Sequence, residues 1–382
     1  MERYVYYSII LFSSFIFFLY AYLLYQKALE FIEAKKEKAF KKEVIPFIDK
    51  IMQDLENRYP DEDKILKIRT IIKNRIKRKL IIERIIVYTE LYNGKIRNSM
   101  TRLCEETGIV DYELKNLKKG DKFNIALSCK NLGEFRSKRA LSELVKIIDK
   151  NFVDIRYHSL MAISKIGDAN SLVNAFNKLS SNLLLSDRSL TEIIDSFEGD
   201  KAQLYKSMIN SDDVFLSTIF IKSAGNYMDI DLNYQISKYI DDEDKNRRIA
   251  AIKAIGQNGD VRFLDKLIDK LKDEEWEVRS TASKSLGRIG DSKALPKLVE
   301  SLSDSQWWVR YNSARSIFQI PRGIEIIETV IKGEDKFAKD ILIASLEDSG
   351  VINDIYLYEN SQDEKKRNLA YLVRKYVIYR ES

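Results

Sequence analysis

The sequence predicts an all-α fold, with short helix pairs stacked in an array behind a single apolar helix at the N-terminus. The chain of 382 residues contains only 14 Gly and 4 Pro, where average usage would give roughly 27 and 19. Turns that need a positive φ are therefore scarce, which disfavours a sheet-rich fold with many hairpins. A repeat with a period near 31 residues and an uncharged N-terminal stretch of 22 residues are the other two observations.

The first element, residues 1–25, is predicted to be a membrane anchor. Residues 4–25 carry no charge, and 22 residues in a helix span about 33 Å, close to the ~30 Å hydrocarbon core of a bilayer. Tyrosines lie at both ends of the stretch, as aromatic residues do at membrane interfaces. A cleaved signal peptide and a buried core helix are the alternatives. The stretch is long for either, the residues before it carry no net charge, and no small-residue cleavage site follows it.

The charges on either side of this stretch predict its orientation. One Arg and one Glu precede it, whereas six lysines follow within residues 26–42. Positively charged flanks stay in the cytoplasm. We therefore expect a single-pass protein of the cell membrane with its N-terminus outside and its repeat domain in the cytoplasm. Cys104 and Cys129 would then be reduced thiols.

Residues 26–120 are predicted to be a basic helical connector and N-terminal cap. They carry 23 Lys/Arg against 16 Asp/Glu, which is +7, whereas residues 121–382 carry 40 against 41, which is −1. Apolar residues at helical spacing continue from the anchor until Pro46, which is expected to bend or break the helix. Residues 64–86 are expected to form a second, strongly basic amphipathic helix, with four isoleucines on one face: Ile65, Ile68, Ile72 and Ile76.

Two interpretations of this basic helix stay open. Its cations contact anionic lipid headgroups, to which each contributes about 1 kcal/mol near the surface. Alternatively, the helix caps the array and its basic face is only solvated. The candidates for lipid contact are Lys73, Arg75, Lys77, Arg78 and Lys79.

Residues 121–350 are predicted to be a repeat array, followed by C-terminal capping helices over residues 351–382. The copies RRIAAIKAIGQNGD (247–260), VRSTASKSLGRIGD (278–291) and VRYNSARSIFQIPR (309–322) show the motif most clearly. A Gly-Asp dipeptide recurs at 167–168, 199–200, 259–260 and 290–291. Four arginines fall in register: Arg156, Arg248, Arg279 and Arg310.

A period near 31 accommodates two helices of about 12 residues and two short turns. One such pair cannot bury its own apolar faces, so the pairs must stack into a right-handed α-solenoid. The Gly of each Gly-Asp pair is expected to end the second helix, and the Asp to start the next first helix.

The motif VRxxA…LGxIGD and the upstream motif D-x-x-W-x-VR resemble HEAT-type repeats, in particular the short bacterial form also seen in phycobilisome-lyase-like proteins. The layout of span, basic connector and repeats is similar to a family of bacterial membrane-anchored HEAT-repeat proteins. That resemblance implies an association with membrane glycosyltransferases of surface-polysaccharide systems. The copies after Gly323 depart from the repeat pattern.

Two sets of residues are candidates for structural and binding roles. Each in-register arginine is expected to pair with the aspartate of its own inter-helix turn, as Arg279 with Asp273, while Asp304 holds the equivalent position in the next repeat. A binding ridge is the alternative. The candidates for partner binding are the three tryptophans at equivalent turns: Trp276, Trp307 and Trp308.

Trp308 differs from the other two tryptophans in its repeat equivalent. Its counterpart in the preceding repeat is Glu277, whereas Trp307 has a tryptophan counterpart in Trp276. A position that accepts Glu in one repeat is expected to face solvent in the next. We therefore expect Trp276 and Trp307 to pack between repeats and Trp308 to contact the partner.

Few residues offer catalytic or metal chemistry. His158 is the one histidine in the sequence, and it is expected to be a packed or surface residue. Asp229-Ile230-Asp231 has the D-x-D form that binds metal in many sugar transferases, but it falls in an inter-repeat turn with no nucleotide fold around it. P-loop, HExxH and EF-hand patterns are absent from the sequence. We expect no catalytic residue, no metal site and no cofactor, and Cys104 and Cys129 to be packed apolar groups.

The function predicted from these features is a non-enzymatic, membrane-anchored scaffold that binds a membrane-associated protein. A bilin-lyase-like HEAT enzyme is one alternative, which an absorbance scan for bound pigment would distinguish. A nucleic-acid-binding HEAT-like protein is the other; it would need a basic concave stripe, and the charge of −1 over residues 121–382 argues against one. No small-molecule substrate is expected.

Overall fold

The structure, a computed structural model, describes residues 2–150, 152–179 and 185–381, and these residues form helices and turns without a strand. Residues 1 and 382, at the ends of the predicted anchor and C-terminal cap, lie outside the described residues, as do residues 151 and 180–184 of the predicted array. Contacts divide the chain into unit 1, Met1–Gly167, and unit 2, Asp168–Ser382. The finer boundaries at 25/26, 120/121 and 350/351 stay predictions.

Unit 1 consists of a long N-terminal helix and seven shorter ones among its described residues. A 3₁₀ turn, Lys138–Ala140, precedes the seventh helix of the unit. The helices are α1 Glu2–Asp54, α2 Glu62–Ile71, α3 Arg75–Leu91, α4 Gly94–Glu106, α5 Ile109–Lys119, α6 Lys122–Glu134, α7 Leu141–Ile147 and α8 Val153–Ile166.

Helix α1 runs through both the predicted anchor and the start of the connector. Residues 4–24 are exposed, whereas Val44, Ile48 and Ile51 are at most 1% exposed. Of the bend or break expected at Pro46, the break does not occur, because the helix continues through Pro46 to Asp54. Pro46 removes one backbone hydrogen bond, and the burial of apolar side chains on both sides of it holds the helical path.

The single basic helix expected over residues 64–86 is also wrong, since the chain there forms two helices, α2 and α3. The Asn74 side chain starts α3 by accepting hydrogen bonds from the backbone N–H groups of Ile76 (3.0 Å) and Lys77 (3.1 Å). Asparagine at this position stabilises a helix start more than most residues do. The break redirects the basic residues of α3 towards α1.

Unit 2 is built of helix pairs, and from α11 onward a short first helix precedes a longer second helix. Its helices are α9 Ala169–Leu179, α10 Asp187–Asp195, α11 Lys201–Met208, α12 Val214–Ala224, α13 Ile230–Ile236, α14 Lys245–Asn258, α15 Leu264–Asp269, α16 Trp276–Ile289, α17 Leu295–Glu300, α18 Trp307–Gln319, α19 Gly323–Lys332, α20 Lys336–Ser349, α21 Val351–Leu357 and α22 Glu364–Glu381. Its 3₁₀ turns are Ser237–Asp241, Val261–Phe263, Lys270–Lys272, Ser292–Ala294, Ser301–Ser303 and Tyr358–Asn360.

The two helices of a pair differ more in length than the sequence suggested. Helix α16 has 14 residues, but its first-helix partner α15 has 6 and lies between two 3₁₀ turns. The aspartates that start these segments cap only two residues ahead: Asp260 accepts the N–H of Arg262 (3.2 Å), and Asp291 that of Lys293 (2.9 Å). This short reach tightens the first turn into 3₁₀ geometry.

The glycine cap expected at each Gly-Asp pair is confirmed at three of the four pairs and is wrong at Gly199, because α10 ends earlier, with Ser196 as its C-cap. Gly167, Gly259 and Gly290 end their helices with φ of 79°, 64° and 77°, a conformation that glycine adopts without steric cost. The following aspartates accept backbone N–H groups of the next helical segment, as Asp168 does from Ser171 at 2.8 Å and Asp200 from Gln203 at 3.1 Å. Three of the four Gly-Asp pairs thus both end one helix and start the next helical segment.

The second helices of unit 2 approach one another closely at glycines. A Cβ added to Gly256 on α14 would lie 2.3 Å from the Ser285 Cβ on α16, and one added to Gly287 on α16 would lie 2.4 Å from the Ser316 Oγ on α18. In both contacts, the serine follows the glycine by the same number of residues in the sequence. Neighbouring repeats are thus packed at a separation that only glycine at this position permits.

Candidate functional site

The in-register arginines of unit 2 bind the turn that precedes their own helix through backbone carbonyls. Arg248 Nη1 donates to the Asp242 and Glu243 oxygens at 2.8 and 3.0 Å. Arg279 Nη1 makes the same pair of bonds to Asp273 and Glu274, at 2.9 and 3.1 Å. Each arginine therefore closes the inter-helix turn of its own repeat.

The carboxylate partner of each arginine comes from the following repeat. Arg279 donates from Nε and Nη2 to the two oxygens of Asp304, at 2.7 and 2.9 Å. Arg248 Nη2 donates to Asp273 Oδ1 at 3.1 Å. The pairing expected between the side chains of Arg279 and Asp273 is therefore wrong. The arginine reaches the aspartate 25 residues ahead because the stacked repeat brings that turn alongside it.

Burial and hydrogen bonding act in opposite directions on this bidentate pair. Burial alone would raise the pKa of Asp304, but the hydrogen bonds from Arg279 and from the Gln306 N–H outweigh it and lower the pKa. The hydrogen bond to Asp304 raises the pKa of Arg279. Both groups are therefore charged at neutral pH, and the pair joins two repeats.

The other two arginines are placed differently. Arg310 Nη1 repeats the turn contact, to the Asp304 and Ser305 oxygens at 2.7 and 3.2 Å. Arg156 in unit 1 is 4% exposed, and its Nε donates to the Ile148 oxygen at 3.2 Å.

Arg367 is a further arginine of the same kind, which the sequence analysis missed. Its Nη1 donates to the Ser361 and Gln362 oxygens at 2.7 and 2.9 Å, as Arg279 does six and five residues upstream. The signal was present, because SQDEKKRNLA (361–370) aligns with DEDKNRRIAA (242–251) and places Arg367 over Arg248. The C-terminal helix α22 thus resembles the second helix of a repeat.

Two tryptophans and a tyrosine form an exposed aromatic cluster at the start of α18. The Trp307 ring stacks on Tyr311, with centroids 4.9 Å apart and an angle of 13°, and Trp308 meets Trp307 edge-on at 4.7 Å. Trp308 is 54% exposed, in agreement with its expected orientation. The prediction that Trp307 packs between repeats is wrong, because its side chain is 46% exposed and stacks on a residue of its own helix. Trp276 is half-buried.

The basic residues assigned to lipid contact do not share one free surface. Lys77 pairs with Glu43 of α1 at 2.7 Å, and the Arg78 guanidinium lies 3.6 Å from the centre of the Tyr112 ring. Lys73, Arg75 and Lys79 are exposed. Two of the five cations therefore hold unit 1 together, and lipid contact by the other three stays a prediction.

The remaining candidates have structural environments. Asp229 caps α13 by accepting the N–H groups of Asp231 (2.8 Å) and Leu232 (3.1 Å), which explains its D-x-D spacing. Burial lowers the pKa of His158, and the nearby Lys130 charge adds to that effect. Burial raises the pKa of Cys104, and raises that of Cys129 to about 12. Among the described residues, no group of His, Cys, Asp and Glu is placed to hold a metal ion.

Stacked helix pairs with a shared arginine contact define an α-solenoid, and comparison with known proteins gives its type. The family model described as HEAT repeats matches residues 235–317. The chain is an all-α HEAT-like solenoid, a fold whose extended surfaces commonly bind proteins. No curated protein sequence matches it.

Two solved structures illustrate the similarity. A mutant of Kap121p is 13% identical with a TM-score of 0.52, over 88% of this chain and 43% of that one. The complex of CpcE and CpcF of phycocyanin lyase, from a Nostoc species, is 12% identical with a TM-score of 0.29, over 70% of this chain and 94% of that one. The first shows the fold alone, and the second supports no shared activity.

Proposed function

We propose that the protein is a non-catalytic scaffold, anchored in the membrane by residues 4–25, whose helical array binds a protein partner at the cytoplasmic face. The observation that carries this proposal is the N-terminal apolar segment, which has a mean hydropathy of 2.0 and is 0% buried. Exposed apolar surface of this extent is unfavourable in water, at about 25 cal/mol per Å². A bilayer would cover it.

The continuity of α1 supports a retained anchor over a cleaved signal sequence. The helix continues from the apolar segment to Asp54, and its last turns pack within unit 1. Arg84 of α3 donates to Asp49 of α1 from Nε at 2.5 Å and from Nη2 at 3.0 Å. The same helix thus supplies both the membrane segment and part of a folded core.

The topology of the anchor predicts a pattern of protease protection. The lysines that follow residue 25 should keep the array in the cytoplasm. Protease added to intact spheroplasts should leave residues 30–382 uncut, and the same protease should digest them after the membrane is permeabilised. Digestion of the array in intact spheroplasts would contradict the orientation.

The aromatic cluster of Trp307, Trp308 and Tyr311 supports a binding role for unit 2. Tryptophan and tyrosine are enriched among the residues that contribute most to protein interfaces. The similarity of the sequence to membrane-anchored HEAT-repeat proteins favours a membrane glycosyltransferase complex as the partner. That assignment rests on the resemblance, whereas the cluster rests on the structure.

Replacing Trp308 with alanine should weaken co-purification of the partner from detergent-solubilised membranes. The expected loss is about 2 kcal/mol, or roughly thirtyfold in affinity, if the cluster is the centre of the interface. Trp308 is more than half exposed, so its removal should leave the melting midpoint nearly unchanged. The matched control is Tyr234→Ala, because Tyr234 is an aromatic residue that is 65% exposed. It lies on α13, the first helix of its pair. A large fall in the melting midpoint of Trp308→Ala would make Trp308 a core residue instead.

A further inference from the structure

Successive second helices of unit 2 carry a basic side chain at one repeat position. Lys253 on α14, Lys284 on α16 and Arg315 on α18 are each 31 residues apart, and all three are exposed. We call these three residues the basic ridge. Lys222 on α12 holds the same position one repeat earlier. The sum of charges over the array, near zero, hides this local concentration of positive charge.

Contacts between the helices place the ridge residues at the same height. Ser285 of α16 donates to the Ile252 carbonyl of α14 at 3.0 Å, and Ser316 of α18 donates to the Ser283 carbonyl of α16 at 2.8 Å. Both contacts join residues 33 apart, so residues 31 apart lie within a turn of one another on adjacent helices. Helices packed in this way are about 8–10 Å apart, which sets the spacing of the ridge charges.

The ridge cations are not neutralised within the described part of the chain. No carboxylate there lies within ion-pair distance of Lys253, Lys284 or Arg315, and Arg315 donates instead to the Tyr311 hydroxyl at 3.3 Å. Lys222, by contrast, pairs with Asp187 at 3.3 Å. The free positive charge therefore begins at α14, and unneutralised charges in a row attract an anionic ligand.

Carboxylates mark the borders of the ridge. Glu277 on α16 is held by Lys245 at 3.0 Å. Asp348 on α20 accepts a hydrogen bond from Tyr311. Beyond Arg315, the exposed residue of α20 with the same pattern of burial around it is Ala344, 29 residues further on, and it carries no charge. The surface thus offers three separated cations with acidic groups nearby, rather than a continuous basic track.

We propose that the basic ridge binds an extended acidic segment of the partner protein, with a carboxylate at about every third residue. In a polyproline II helix every third side chain lies on the same face, and that face repeats every ~9.3 Å. Side chains three residues apart therefore match the ~8–10 Å separation of the helices. This proposal rests on the scaffold role and specifies the chemistry of its partner.

A nucleic-acid strand fits the ridge less well. It carries one charge per ~3.4 Å of helix axis, so most of its phosphates would lie between the cations and near Glu277 and Asp348. The polar surface next to the ridge suits a peptide backbone: Arg288, one turn beyond Lys284, lines a depression of 490 Å³ with Asn226 and Gln257. Amide and guanidinium groups at this site would pair with backbone carbonyls of a bound segment.

The test uses full-length protein in detergent micelles and a fluorescent peptide with Glu at every third position and Ser elsewhere. Binding is followed by fluorescence anisotropy at low salt. Lys284→Glu should weaken binding about tenfold, because it replaces the central attraction with a repulsion. Lys293→Glu makes the same charge change at an exposed residue of the turn Ser292–Ala294 and should leave binding nearly unchanged. A peptide with its glutamates clustered at one end should bind more weakly than the spaced peptide.

Three results would overturn the proposal. If Lys284→Glu and Lys293→Glu weaken peptide binding equally, the binding is non-specific electrostatic attraction. Tighter binding of oligothymidylate than of the spaced peptide would assign the ridge to nucleic acid. If Lys284→Glu loses peptide binding but still binds the membrane partner, the basic ridge is not part of the partner interface. The scaffold role would then still hold. An unchanged melting midpoint of Lys284→Glu confirms that the variant is folded.

Discussion

Arg279→Ala is expected to lower the free energy of unfolding by about 2–3 kcal/mol. The substitution removes two hydrogen bonds to turn carbonyls and leaves the Asp304 carboxylate, whose side chain is 12% exposed, without its guanidinium. A partly buried carboxylate that loses its charged partner costs more than the loss of a surface ion pair. Urea unfolding followed by tryptophan fluorescence reports on this region, since all three tryptophans lie in unit 2.

A double-mutant cycle identifies the partner of Arg279. The changes in the free energy of unfolding caused by Arg279→Ala and Asp304→Ala should be clearly non-additive, by about 1–2 kcal/mol. The changes caused by Arg279→Ala and Asp273→Ala should be closer to additive. Arg288→Ala, at an exposed arginine of the same helix, is the control and should change stability by less than about 0.5 kcal/mol. Stronger coupling of Arg279 to Asp273 than to Asp304 would contradict the pairing between repeats.

Gly256→Ala is expected to destabilise unit 2 by a similar amount, about 2–3 kcal/mol. The added methyl group would lie 2.3, 2.4 and 2.8 Å from the Cβ, Oγ and Cα of Ser285. Because one of these atoms belongs to the backbone, helices α14 and α16 would have to separate. That cost exceeds the gain of up to ~1 kcal/mol that alanine normally brings to a helix. The urea midpoint measures the net effect.

Gly259→Ala supplies the comparison for this prediction. No atom lies within 4 Å of an added Cβ there, but its φ of 64° is costly for other residues, so the expected loss is about 1–2 kcal/mol of conformational strain. Adding Ser285→Gly to Gly256→Ala should recover part of the stability, and it should not help Gly259→Ala. An increase in stability for Gly256→Ala alone would show that the two helices separate without cost.

Much of the fold could be predicted from the sequence because it depends on local properties. Scarcity of Gly and Pro excludes most hairpins, and apolar residues at helical spacing define the helices. The 31-residue period identifies equivalent residues in each repeat. It was enough to place the caps at Gly259-Asp260 and Gly290-Asp291 and to expect an exposed side chain at Trp308. The uncharged stretch 4–25 likewise needs only its length and composition.

The period states which residues are equivalent, but it does not state which neighbour each one meets. Arg279 and Asp273 are close in sequence, yet the offset between stacked repeats brings Asp304 to the guanidinium instead. Trp307 was assigned to a packed position by analogy with Trp276, but the stack leaves it exposed beside Tyr311. Both differences arise because contacts across repeats depend on how far adjacent helices are shifted and separated.

The same physical reason applies to the charges and the glycines. A summed charge of −1 over residues 121–382 gave no sign of a basic ridge, because charge counting discards position. Only the packing of α14, α16 and α18 places Lys253, Lys284 and Arg315 side by side, and the close approach at Gly256 sets that spacing. The sequence by itself determined the helices, their period and the apolar N-terminal segment. The tertiary structure decided which side chains the repeats share and which they present to a partner, because both depend on distances between residues about 30 positions apart in the chain.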